Sequence, residues 1–230
     1  MRIPYSFFFV LLAGCASDDV ISWGPVGYGS THPAVPVASA TLPPRGASGC
    51  AEVVIVASEE ARFAGWWEAR EDGSSILMLA RSPDRGVSWE APIVADDRDA
   101  GGLGCSRPPP SLFADDTSEY LHVSYHISPR GSPGVYFTHS MKASALGTSG
   151  EGVLHMPVPV THGDRPVLSS VAGHGDTVVV AFEDPNSAKP RILLALSTGA
   201  GHLFDAHGTV SPPGSAARGA TNSARRLLTQ

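Results

Sequence analysis

The chain has 230 residues and a formal net charge of −6, with 42% hydrophobic against 17% charged residues, a balance that packs a core and excludes wholesale disorder. A pI of about 5.8 with no basic stripe argues against a nucleic-acid partner. The 25 glycines and 20 prolines imply frequent turns, so the elements between them are short.

The N-terminus reads as a targeting segment and not as part of the fold. Arg2 precedes an apolar run, Ile3 to Leu12, that is too short to span a bilayer and suits the core of a signal peptide. Leu12-Ala13-Gly14-Cys15 closes the run and resembles the bacterial lipobox, in which small residues admit the peptidase and the cysteine is lipidated. On that resemblance residues 1–14 are a lipoprotein signal peptide and Cys15 carries a membrane anchor; the alternative is an ordinary signal peptide with an incidental cysteine. Ala16 is not the aspartate that retains such proteins at the inner membrane. The expected location is therefore the bacterial cell envelope, at the outer membrane or surface, or outside the cell. Residues 15–49 are rich in Ser, Gly, Pro and Ala without a sustained period and read as a flexible tether.

From about residue 50 short β-rich runs repeat. Ser82, Ser140 and Ser197 follow similar strands and lie 58 and 57 residues apart. Fifteen residues before each stands an aromatic, Trp67, Tyr125 and Phe182, in a comparable strand. Arg107-Pro108 and Arg165-Pro166 open the second and third units, again 58 apart. Self-similarity at a fixed period marks a repeat architecture. Each unit reads as four strands; in the second they are expected near 111–114, 120–126, 135–140 and 153–160.

After the third strand of the first unit comes Ser82-Pro83-Asp84-Arg85-Gly86-Val87-Ser88-Trp89. This is similar to the Asp box of sialidase-like β-propellers, Ser-x-Asp-x-Gly-x-Ser/Thr-Trp, at every defined position. Ser197 to Phe204 is a decayed copy in which Gly199 replaces the aspartate, and the second unit keeps only Ser140. The resemblance implies an all-β fold of about three four-stranded blades, 50–104, 105–163 and 164–211, an incomplete six-bladed plan. In that family the box is a structural marker at the periphery, so Ser82, Asp84, Gly86 and Trp89 are expected to shape a hairpin, with Gly86 at positive φ. First strands of adjacent blades run side by side in such a fold. Cys50 and Cys105 precede the first strands of two adjacent units and can pair there, or remain free buried thiols.

Sialidases hold a substrate carboxylate with three arginines, attack with a Tyr activated by a Glu, and use an Asp as acid and base. The family's Arg-Ile-Pro motif occurs here only as Arg2-Ile3-Pro4, inside the signal segment, a coincidence. Arg107 and Arg165 are the candidate clamps for an anionic ligand; the competing reading pairs each with a nearby carboxylate, Asp164 for Arg165. Gly49 stands where a third arginine would fall. Glu68, His126 and Glu183 occupy matching places at the end of the second strand, as a polar ring or as solvated strand ends. Tyr125 aligns with core aromatics and not with a nucleophile. The nine histidines show no ligand spacing, His122 and His126 sharing one strand face without a carboxylate or cysteine in phase, so neither metal nor cofactor is expected.

Three units fall short of the four to eight blades of a closed propeller. Residues 212–230 read as a tail or the start of a truncated fourth blade, and the chain as a truncated product, a fragment or half of an oligomeric ring. The expected function is a surface-tethered, non-catalytic binder of sialylated or other glycans or of envelope proteins. The alternatives are an exo-α-sialidase or related glycoside hydrolase, and an envelope scaffold.

Overall fold

A computed structural model describes residues 41–147, 154–189 and 191–211. The described residues are all-β, in three four-stranded antiparallel sheets. The first holds β1 (Gly49–Ala57), β2 (Arg62–Ala69), β3 (Ser75–Ser82) and β4 (Ile93–Asp96). The second holds β5 (Ser111–Asp115), β6 (Tyr120–Ile127), β7 (Gly134–Ser140) and β8 (Val158–His162), and the third β9 (Ser169–His174), β10 (Thr177–Glu183), β11 (Ile192–Ser197) and β12 (Ala206–Thr209). Each sheet is a meander in chain order. Cys15 and residues 212–230 lie outside the described residues.

The repeat is visible in the register. Ser82, Ser140 and Ser197 each end a third strand, and Trp67, Tyr125 and Phe182 pair across it with Leu77, Tyr136 and Leu193. The fourth strand of the second sheet begins at Val158, later than expected. Pro157 and Pro159 withhold two N–H donors there, and a single backbone bond from His155 N–H to the His139 carbonyl (2.8 Å) bridges the approach.

Side chains alternate across each strand, and both faces of the sheets are apolar. Phe63, Trp67, Leu77 and Leu79 of the first sheet share one buried cluster with Leu112, Leu121, Val123, Tyr125 and Ile127 of the second. Trp67 meets Tyr125 edge to face at 5.9 Å between ring centroids. Val135, Phe137 and Val160 of the second sheet share another with Val171, Val178, Val180, Phe182 and Ala195 of the third. The first strands are neighbours, β1 beside β5 and β5 beside β9. This proximity places Cys50, in β1, and Cys105, in the 3-10 turn Gly104–Ser106, with Cα atoms 5.3 Å apart, and a disulfide joins them.

One expectation is corrected. The end of the supposed tether, residues 41–48, is docked on the first sheet. Thr41 N–H donates to the Gly86 carbonyl (2.8 Å), Trp89 Nε1 to the Thr41 carbonyl (3.0 Å), Gly46 N–H to Glu68 Oε1 (3.1 Å) and Arg45 to the Cys50 carbonyl (2.6 Å). The face below carries Ala64, Trp66 and Ala80, all buried, with Trp89 packed against them. That apolar face needs a cover, and a Ser/Gly/Pro-rich composition does not stop backbone groups from supplying one.

The Ser82–Trp89 turn forms a closed hydrogen-bond circuit. Ser82 Oγ donates to Asp84 Oδ1 (2.8 Å) and accepts from Gly86 N–H (2.7 Å), while Asp84 takes Ser88 N–H (2.8 Å) and Ser88 Oγ (2.5 Å). Gly86 sits at φ 96°, where a side chain would be strained. The decayed copy keeps the same form: Ser197 Oγ accepts from Gly201 N–H (3.1 Å), Gly201 has φ 84°, and Phe204 packs on Phe137 at 5.3 Å.

Two predictions follow from these contacts. The Ser88 hydrogen bonds, side chain first, lower the Asp84 carboxyl from 3.8 to about 2. Its folded value lies below its unfolded one, so the circuit is complete above about pH 4 and is lost as pH falls through about 2. A carboxyl NMR titration should show a midpoint near 2 for Asp84, moving back towards 3.8 in Ser88→Ala. Replacing Cys50 and Cys105 together by serine opens a loop with a sequence separation of 55. Denaturant unfolding should register a loss of up to about 4 kcal/mol from chain entropy.

Candidate functional site

Arg107 leaves the 3-10 turn in extended conformation, and Pro108, Pro109 and Pro110 lead stiffly into β5. Its side chain is wholly buried and stacks over the Trp67 ring, 5.1 Å from the centroid. One guanidinium nitrogen donates to Asp99 Oδ2 (2.5 Å), another to the His126 carbonyl (3.1 Å). Asp99 also accepts from the N–H groups of Ser75 (2.9 Å), Ser128 (3.0 Å) and Gly101 (3.3 Å), so this ion pair knots β3, β6 and the entry to β5. Burial lowers the Arg107 pKa and Asp99 opposes that shift. Arg107 is thereby corrected as a ligand clamp: its charge is consumed internally and no face of it meets solvent.

Arg165 repeats part of this arrangement. It donates to the Asp184 carbonyl (2.5 Å), as Arg107 does to that of His126, each 19 residues further along the chain. Its ionic partner is Glu183 at 3.5 Å and not Asp164, and its side chain is 41% exposed. Glu68, His126 and Glu183 do not act as one ring. Glu68 accepts from Gly46 N–H and Trp66 Nε1, His126 Nε2 meets the Gly163 carbonyl at 3.2 Å, and Glu183 holds Arg165. His126 is also buried, which pulls its pKa down.

Tyr125 is a core residue. Its hydroxyl donates to Asp96 Oδ2 (2.8 Å), which Arg98 grips with two further bonds. Burial, then the Asp96 charge, raises the Tyr125 hydroxyl well above its ordinary value, which keeps it protonated and unsuited to attack. At the opposite strand ends, a cleft between the β1–β2 and β5–β6 turns is lined by Glu59, Glu60, Asp116, Glu119, Tyr120 and Arg81.

Sequence spacing missed the one group of convergent ligand-type side chains among the described residues. His139 is the penultimate residue of β7, His155 lies on the approach to β8, and His202 sits in the β11–β12 turn. Their ring nitrogens lie within 4.8 Å of one another. His202 Nε2 and His155 Nδ1 are 3.0 Å apart. His139 is buried and its Nε2 has no hydrogen-bond partner. Burial first, then the neighbouring imidazoles, lowers its pKa to about 3, so it is neutral at neutral pH. No signal in the sequence groups these three, because they come from separate strands and turns. His122 stacks nearby on Phe113 and Phe137, wholly buried, with its pKa lowered to about 4 by that burial.

Compared with known proteins, the chain matches no family model and no curated protein sequence. Among the described residues no helix is long and apolar enough to cross a membrane.

The contrast between the two arginines is measurable. Arg107→Ala strands the buried Asp99 carboxylate and should cost about 3–5 kcal/mol in denaturant unfolding. Arg165→Ala breaks a partly exposed pair and should cost no more than about 1 kcal/mol.

Proposed function

We propose that the chain is a non-catalytic binding module built from three blades of the sialidase-like propeller type, carried in the cell envelope on a lipid anchor at Cys15. Three features favour the propeller reading. Each sheet is a four-stranded meander, the first strands lie side by side, and the turn with the Asp-box sequence has the hydrogen-bond circuit that such a motif requires. Glycans, or proteins that bear them, are the ligand class that the resemblance suggests.

The observation that carries the non-catalytic reading is the buried Arg107–Asp99 pair. A sialidase needs a cluster of free guanidiniums facing its substrate carboxylate. Here one candidate is sealed in the core, the other is tied to Glu183 and Asp184, and Gly49 occupies the third place. The candidate tyrosine is buried and protonated.

The untagged protein should release no fluorophore from an aryl sialoside at any pH between 4 and 8, while retaining selected ligands on a glycan array. Turnover that disappears in Arg165→Ala would reinstate the hydrolase. An array without any bound glycan would leave a protein-assembly role in the envelope.

A further inference from the structure

We propose that His139, His155 and His202 form a binding site for a divalent transition-metal ion of the Zn2+ class, clasping the second sheet to the third with its fourth coordination position open to solvent. His139 and His155 belong to the second unit and His202 to the third, so one ion would tie two neighbouring meanders.

The geometry is close to what such an ion needs. Zn–N distances of about 2.0–2.1 Å in a tetrahedral site place ligand nitrogens roughly 3.3–3.4 Å apart. The His155 and His202 nitrogens are 3.0 Å apart and the whole set lies within 4.8 Å, so small rotations of the two more accessible rings close the site. The third ligand is already fixed, since His139 is buried and stacks against Phe137 at 5.5 Å.

Supporting bonds orient the ligands. His202 Nδ1 meets the Gly199 carbonyl at 2.7 Å, where it donates its proton and leaves Nε2 as the lone-pair nitrogen aimed at His155. Gly199 stands at the place of Asp84 in the first unit's turn, and its backbone carbonyl accepts from both the N–H (3.0 Å) and the ring Nδ1 of His202. The His155 backbone is pinned on both sides, its N–H to the His139 carbonyl (2.8 Å) and its carbonyl to Thr138 Oγ1 (2.6 Å).

A hydrogen-bonded histidine pair accounts for His155 and His202 alone. It leaves the buried Nε2 of His139 without a partner, which a native interior tolerates only with a reason. The group is all imidazole, a donor set that suits Zn2+, Cu2+ or Ni2+ and not Mg2+ or Ca2+.

The test uses untagged, disulfide-intact protein, stripped with EDTA and titrated with ZnCl2 by calorimetry. One Zn2+ should bind per chain, and at about 100 times Kd the melting temperature should rise by about 5–10 °C. His202 is exposed, so His202→Ala should fold as before and bind Zn2+ at least about tenfold more weakly. His174→Ala, an exposed histidine elsewhere, should bind unchanged. Co2+ loading should give the visible spectrum of a tetrahedral centre in the parent and not in His202→Ala. Absence of stoichiometric Zn2+ binding, an undiminished affinity in both His202→Ala and His155→Ala, or an equal response to MgCl2 would overturn the proposal.

Discussion

A sheet of four strands with apolar side chains on both faces cannot be stable alone, because both faces would then be wet. That constraint organises the whole molecule. The first sheet buries Trp67, Leu77 and Leu79 against the second, and the second buries Val135 and Phe137 against the third. Some polar atoms caught between sheets are paired, Tyr125 with Asp96 and Ser124 with Ser169 at 3.0 Å, while both ring nitrogens of His122 and Nε2 of His139 are left without a hydrogen-bond partner. The segment 41–48 is hydrogen-bonded to the first sheet and fastens onto the Ser82–Trp89 turn through Thr41 and Trp89.

Residues that recur with the 58-residue period serve that stacking. The serines end third strands and organise the following turn, and the aromatics fill the spaces between sheets. The two arginines each tie the entry of a sheet to the carbonyl 19 residues on. Recurrence in a repeat protein therefore identifies scaffold, which is why Arg107 is a poor ligand clamp. Chemistry is to be sought where the repeat is broken. Gly199 in place of an aspartate, and His202 at the place of the exposed Val87, are such breaks.

The predicted strands correspond closely to the observed ones because β-rich runs and the turn residues between them act locally. Local chemistry also explains the Ser82–Trp89 turn, since Ser82, Asp84, Gly86 and Ser88 interact within seven positions of one another. The docking of 41–48 was not legible, because its bonds run to residues more than 20 or 40 positions away and depend on an exposed sheet face. The choice of Asp99 as the partner of Arg107, and of Glu183 in place of Asp164 for Arg165, was likewise hidden in how loops fold over strand ends.

The amino-acid sequence on its own determined the all-β class, the period, the three four-stranded units and the shape of the tight turn. All of these follow from β-rich runs, the turn residues between them and the recurrence of both at a fixed spacing. Tertiary structure alone decided which arginine keeps an exposed guanidinium, which chain segment covers the first sheet, and that histidines 139, 155 and 202 meet. The reason is physical: burial, ion pairing and ligand convergence depend on distances between units, and those distances exist only once the sheets have packed.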